Sequence, residues 1–402
     1  MGTGNLMIEM DERGYGIPPS KFICGQCISD NSYGDYALVE LVQSNMTSMH
    51  CDYCGNTSPF PIAADIELVI ERVALVMMNR YGTAEEDLPR DNESESGWFG
   101  DTLTTEDILE KYFENGTKLF NDLVNTIADN TWCDKDPFSL PEDHMYKYSW
   151  ERFKQLVQHE KRYMFFKSND SDLDLNEEFY LEPMEILSVI GNFIREMGMY
   201  KEITNEDLLY HVRFNDHYTA FKDLASPPVE FATQPNRMSP PGISMFYAAY
   251  EKKVALMETA SPDLDGKKFT IGRFSTKKSE YLVDISRASK GISVFDLDKA
   301  KYYNVAQFVD KYVKEISKPA RKEAGYSSID YVSTQVLTEF IRYGMDHDHE
   351  IIGMQFRSSK STPQEDFTSI VLFLDHAGSM EHLNFLGYEH HICRYMLDTN
   401  GL

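Results

Sequence analysis

The sequence predicts an α+β protein in three parts: a cysteine-knuckle module over 1–60, a helical bundle over 61–201 and a mixed α+β domain over 202–402. Three observations predict this. Two Cys-x-x-Cys pairs stand near the start, and apolar residues recur at helical spacing through the middle of the chain. Beyond about Tyr200, prolines cluster and short alternating runs take over. A chain of 402 residues, 42% hydrophobic and 26% charged, has material for two or three packed cores and is neither disordered nor membrane-embedded. The 65 acidic against 39 basic residues give a formal charge of −26, which repels phosphate backbones and anionic lipid. The longest apolar candidate, Ile66 to Met78, is interrupted by Glu67, Glu71 and Arg72, and falls short of the ~20 residues of a membrane span. Met1 to Leu6 has neither a signal-peptide core nor the Ser/Thr at position 6 that myristoylation favours. The expected location is the cytoplasm.

In the first part, Cys24-Gly25-Gln26-Cys27 and Cys51-Asp52-Tyr53-Cys54 are separated by 23 residues. Two such knuckles match a tetrahedral zinc site, because both thiolates of a pair reach one metal. Gly25 and Gly55 are expected to permit the tight turns, and Tyr36 to Val42 to form a short strand between the knuckles. With cysteine in all four ligand places and no open position, the zinc is expected to be structural. Cys133 and Cys393 are expected to be ordinary free thiols.

The second part reads as a bundle of about four helices. Asp65 to Tyr81 carries Ile66, Val69, Val73, Leu75 and Met77 near a 3.6-residue period. Thr104-Thr105-Glu106-Asp107 is a helix start, with the apolar pattern continuing to Ile127 across Gly116. Tyr148 to Phe166 and Pro183 to Met199 complete the set. The acidic stretches Ala84 to Glu95 and Ser168 to Glu178 read as solvated loops.

In the third part, strands are expected at Ile243 to Ala249, at the pair Lys268 to Phe274 and Tyr281 to Ile285, at Ile351 to Arg357 and at Ser369 to Leu374. Helices are expected at Tyr302 to Ile316 and Tyr331 to Tyr343. No P-loop, Rossmann glycine fingerprint, H-E-x-x-H or G-x-S-x-G occurs, which excludes the most readily recognised nucleotide hydrolases, zinc proteases and serine hydrolases.

Chemistry-bearing residues concentrate at Asn236-Arg237-Met238-Ser239-Pro240-Pro241-Gly242, followed by an apolar run with Tyr247 and by Ala255-Leu256-Met257-Glu258. Further on come Tyr331-Val332-Ser333-Thr334-Gln335 and Gly353-Met354-Gln355-Phe356-Arg357-Ser358. In this order the elements resemble the RES family of bacterial toxins, named for an Arg, a Glu and a Ser. Arg237 matches the motif Arg, Tyr247 the Tyr ten residues on, Glu258 the Glu and Ser358 the Ser, with Ser359 as alternate. Arg213 resembles the first Arg of that domain. Asn236 and Ser239 depart from the usual Gly and Asn flanking Arg-Met. The resemblance runs from about Asp207 to His376, and the N-terminal parts resemble the zinc-ribbon and HEPN-like extension of a subset of these proteins.

The resemblance implies an ADP-ribosyltransferase-like α+β fold and cleavage of NAD between nicotinamide and ribose. Water or phosphate would act as acceptor, or a protein side chain if ADP-ribose is transferred. Breaking that bond develops oxocarbenium charge at the ribose carbon, which a carboxylate stabilises; this is the role expected of Glu258. Arg237 and Arg213 are expected to clamp the pyrophosphate, Tyr247 to stack and orient the ligand, and Ser358 to hydrogen-bond ribose or phosphate. The implied setting is a toxin–antitoxin or phage-defence effector. Its partners would be NAD, a regulatory or antitoxin protein and a second copy of itself, with no membrane and no general nucleic-acid binding.

A rival reading places a HEPN-type ribonuclease pair at Arg152 and His159, whose spacing of seven puts them on one helical face. Arg342 and His347 also fit that loose pattern. The pieces Asp346-His347-Asp348-His349 and His390-His391 read as surface loops.

Overall fold

A computed structural model of the chain describes residues 13–167, 181–286, 292–316, 327–358, 360, 361, 365 and 367–394. The starting hexapeptide, the acidic stretch 168–178 and Ser359 lie outside the described residues, the acidic stretch entirely so. The backbone divides into two compact units, one of 1–142 with 291–304 and the other of 143–290 with 305–402. None of the helices is long and apolar enough to cross a membrane, among the described residues.

In the first unit, strand β1 (Phe22–Cys24) pairs antiparallel with β2 (Ala63–Asp65), placing Cys24 opposite Ala63. The stretch 36–42 is helix, not the expected strand: the Asp35 carboxylate accepts from the Leu38 N–H and caps the helix Tyr36–Ser44. Ala37, Leu38 and Val42 then fall on one buried face, so the apolar run satisfies a helical period. The main helix, Glu67–Arg80, buries Val69, Ile70, Val73, Ala74, Val76 and Met77. Residues 84–87 of the expected solvated loop form a short helix, Ala84–Asp87, with Ala84 buried, and a Thr104–Asp107 capping box starts the helix Thr105–Leu109, as the sequence indicates. That helix ends at Leu109 and does not run on to Ile127; Gly116 adopts φ +77°, and Thr117 caps a separate helix, Lys118–Thr126, by accepting from the Phe120 N–H. Strands β3 (Tyr81–Thr83) and β4 (Trp132–Asp134) pair antiparallel.

Phe113, Phe120 and Phe295 lie in the same buried core, each side chain contributing about 2–3 kcal/mol by burial. Phe295 comes from the distant segment 291–304. This segment is held to the first unit by Arg72 donating to the Phe295 carbonyl at 2.7 Å, Tyr36 donating to Asp296 at 2.6 Å and Ser293 donating to Asp35 at 2.6 Å.

The second unit holds an eight-stranded mixed sheet, in spatial order β12 (Leu383–Ile392), β8 (Lys268–Thr276), β6 (Leu209–Phe214), β7 (Phe246–Ala249), β11 (Thr368–Leu372), β10 (Ile351–Arg357), β9 (Glu280–Asp284) and β5 (Tyr200–Ile203). Only β9 and β10 run parallel to each other. The expected pairing of β8 with β9 is absent: they are consecutive in sequence but stand on opposite sides of the sheet centre, β8 between β12 and β6. Their alternation marks both as strands but carries no partner information.

Side chains alternate between two cores. Phe246 and Ala248 join Leu209, Phe274, Ile370 and Leu372 on one side, while Ala249 joins Val212, Phe214, Ala255 and Leu256 on the other. Residues 143–155 of the helix Glu142–Gln155 pack through Trp150, whose ring lies 4.7 Å from that of Tyr312 and 5.0 Å from that of Phe153. The helices expected of the 61–201 stretch are thus shared between the two units.

Candidate active site

The site forms where β6 and β7 part. Their register consists of the single pair Tyr210↔Ala249, and beyond it the ladder stops. Here a cavity of about 450 Å³ opens, lined by Tyr210, His211 and Val212 from β6, by Tyr247 and Ala248 from β7, and by Arg237, Glu258, Tyr331 and Ser369.

The loop bearing Arg237 is fixed from beneath by the helix Val332–Glu339. Thr334 donates its hydroxyl to the Arg237 carbonyl at 2.5 Å, and the buried Gln335 carboxamide donates to the carbonyls of Asn236 at 2.8 Å and Ser239 at 3.3 Å. The Thr-Gln pair therefore holds a turn. The Arg237 guanidinium lies over the Tyr331 ring at 5.3 Å and makes no hydrogen bond or ion pair among the described residues.

Tyr247 shares a hydrogen bond of 2.9 Å with the Ser239 hydroxyl, tying β7 to the same loop. Burial raises its phenol to about 12 despite the Ser239 and Met238 hydrogen bonds and the nearby Arg237, so it stays a neutral hydroxyl at any working pH.

Glu258 occupies the exposed last turn of the helix Lys252–Thr259. It stands three residues after Ala255, so both face the cavity. Its Oε1 accepts from Ser358 and, at 3.1 Å, from Ser369. Ser358 is buried, and its N–H bonds the Phe367 carbonyl at the end of the β10–β11 pair; it touches the carboxylate rather than lining the cavity.

Of the residues named from sequence, Arg237, Tyr247 and Glu258 therefore line one cavity, and Ser358 adjoins Glu258. Arg213 is not brought to them. Its guanidinium donates to the Asp223 carbonyl and lies over the Tyr218 ring at 5.1 Å. His211, two residues earlier on the same face of β6, lines the cavity where Arg213 does not. His211 Nδ1 bonds the Tyr247 carbonyl at 2.7 Å, and its ring lies 5.0 Å from that of Phe246. Burial lowers its pKa to about 4. Sequence reasoning missed His211 and Ser369, since neither a strand histidine nor a strand serine carries a local signal.

The second chemical feature lies in the first unit. The sulfurs of Cys24, Cys27, Cys51 and Cys54 all fall within 4.8 Å of one another, with Cys24–Cys54 and Cys27–Cys51 at 3.8 Å and no disulfide. Four sulfurs around an ion at about 2.3 Å stand about 3.8 Å apart, so donor set and spacing fit one tetrahedral metal. Gly55 (φ +76°) closes the second knuckle, donating to the Cys51 carbonyl at 2.8 Å; Gly25 instead begins the helix Gly25–Asn31 and has no such φ. Burial opposes ionisation of Cys51, but N–H groups of Cys54, Tyr53 and Cys24 outweigh it and bring the thiol to about 7. Cys133 and Cys393 are buried and form no disulfide.

Arg152 is paired with Glu160 at 2.7 Å, and residues 156–160 form a π-helical turn that departs from the α-helical spacing assumed for Arg152 and His159. His347 bonds the Ile341 carbonyl at 2.6 Å, and His349 stacks on Tyr281 at 3.9 Å.

Comparison with known families gives two matches: the RES domain over residues 208–386, and the HEPN/RES N-terminal domain 1 over residues 44–171. No curated protein matches the chain. No solved structure matches it either. The RES match encloses every residue that lines the cavity, and Ser358 beside it. With its mixed sheet, its four-cysteine cluster and both matched segments, the chain belongs to the RES-domain family and carries the N-terminal HEPN/RES extension.

Proposed function

We propose that the cavity binds NAD and splits its nicotinamide–ribose bond. The observation that carries this reading is the joint lining of one 450 Å³ space by Arg237, Tyr247 and Glu258. Glu258 stabilises the oxocarbenium charge that grows at the ribose carbon as the C–N bond lengthens. Ser358 and Ser369 hold that carboxylate in place. The guanidinium of Arg237, backed by Tyr331, takes a phosphate of the dinucleotide, and Tyr247 offers a ring face and a neutral hydroxyl. Nicotinamide departs as a neutral molecule carrying the bond's electron pair. Water attacking the ribose carbon gives ADP-ribose and a proton, and phosphate gives the corresponding sugar phosphate. A protein nucleophile would make the domain an ADP-ribosyltransferase.

Under this reading the chain is a toxin-type or phage-defence effector acting on the cytoplasmic NAD pool. Residues 1–60, 61–201 and 202–402 are its zinc-ribbon, HEPN-like and RES modules, and an antitoxin or a second copy restrains it. Zinc in the four-cysteine site supplies a structural crosslink in the first unit.

Purified full-length chain incubated with NAD should release nicotinamide. Glu258→Gln should lower the rate at least a hundredfold with an unchanged melting temperature, whereas Arg152→Ala should leave it intact. Loss of cellular toxicity in Arg152→Ala but not in Glu258→Gln would favour the ribonuclease alternative.

A further inference from the structure

His211 lines the cavity, and the RES motif elements do not account for it. The Tyr247 carbonyl can only accept, so His211 Nδ1 must carry the proton of the 2.7 Å bond between them. In the neutral ring this fixes the tautomer: Nε2 bears a lone pair, and it has no hydrogen-bond partner among the described residues. Burial on the floor between β6 and β7 keeps the ring neutral near pH 7. The bond also sits where the β6–β7 ladder has ended, so the side chain satisfies a carbonyl that no strand N–H reaches. It is thereby locked in orientation.

The rest of the lining divides the ligand by chemistry. The rings of Tyr247 and Tyr331 suit a flat base, and Arg237, the one formal cation among the described lining residues, suits a phosphate. Glu258 suits developing positive charge. A fixed neutral acceptor suits a hydrogen-bond donor, and the ribose sugars are where a dinucleotide carries its O–H donors. We propose that His211 is the specificity residue of the cavity, its Nε2 accepting a hydrogen bond from a ribose hydroxyl of the nucleotide. This rests on the NAD reading above and adds the part of the ligand that β6 recognises.

Two riboses could supply the hydroxyl, and calorimetry on the full-length chain separates them. Nicotinamide mononucleotide carries only the nicotinamide-side sugar, and ADP only the adenine-side sugar. Each is compared with its 2′-deoxy and 3′-deoxy forms. For one of the two nucleotides, loss of a single hydroxyl should weaken binding about three- to tenfold, the range for one neutral hydrogen bond. In His211→Phe that difference should vanish, and His211→Gln, which restores an acceptor, should recover part of it. Equal binding of ribo and deoxy forms to the native chain overturns the proposal, and so does a deoxy penalty that persists in His211→Phe. The deoxy comparison needs no variant, so a folding defect in His211→Phe does not shield the proposal. If the native chain releases nicotinamide but ignores every deoxy change, the His211 assignment alone falls. If it neither cleaves NAD nor binds either nucleotide, both readings fall.

Discussion

At the scale of single residues, the carboxylate of Glu258 depends on two hydroxyls from neighbouring strands, and only one of them has a sequence signature. Ser358 ends the Gly353-to-Ser358 motif, whereas Ser369 lies on β11 and reaches the same oxygen at 3.1 Å through strand pairing. Ser369→Ala should lower kcat about tenfold with little change in KM, because the lost bond orients the carboxylate in the transition state rather than binding the ground state. Steady-state NAD turnover decides this, and a pure KM effect would assign Ser369 to substrate binding instead. His211 makes a pH prediction. Its folded pKa of about 4 lies below the roughly 6.5 of an unfolded histidine, so the unfolded chain takes up its proton first as the solution is acidified. The stability linked to this group is complete above about pH 6.5 and is lost as pH falls toward 4. Thermal melts of His211→Gln should therefore decline less across that window than those of the native chain. Parallel declines would contradict the burial argument. Arg237, Tyr247 and Glu258 were legible because motif spacing survives in sequence. Arg213 was misleading because an arginine two positions along a strand from His211 shares its face, yet its guanidinium is taken by Asp223 and Tyr218.

At the scale of elements, periodicity located most helices and strands, but turn chemistry and pairing partners were harder to read. Tyr36 to Val42 satisfies either an apolar strand or a short helix, and the Asp35 cap decides for helix. Gly116 looked like a tolerated interior glycine, yet the first helix has already ended at Leu109, and Thr117 next to Gly116 is the N-cap of a second. The β8–β9 order in the sheet is long-range and has no local trace. Gly353 is different, since its motif position has a visible cause. A Cβ there would lie 2.3 Å from the Val371 carbonyl oxygen and 2.9 Å from the Leu372 Cα, where β10 pairs with β11. Gly353→Ala should destabilise the chain by about 2–3 kcal/mol and lower NAD turnover by disturbing the strand that carries Ser358. Denaturant unfolding with circular dichroism measures the first effect, and an unchanged midpoint would mean that the strands separate freely.

At the scale of the whole molecule, sequence texture suggested three consecutive parts, while the backbone closes into two units that trade segments. The stretch 291–304 belongs to the first unit through Phe295, Ser293 and Asp296, and the helix carrying Trp150 packs in the second. No composition shift marks either exchange, so contacts of this range were invisible in the sequence. A truncation at residue 202 would consequently remove packed helices of the second unit, and tests of regulation belong on the full chain. The cysteine cluster is best tested there too. The native chain should carry one zinc per molecule, and Cys51→Ser should lose it and lower the melting temperature of the first unit. Full metal content in Cys51→Ser would remove that cysteine from the ligand set. The central claim concerns the single cavity, and its most direct test is chromatographic quantification of nicotinamide and ADP-ribose products after incubating the native full-length chain with NAD. Nicotinamide appearing in step with NAD loss, and absent with Glu258→Gln, is the predicted result; intact NAD after prolonged incubation with folded, zinc-loaded protein would contradict it.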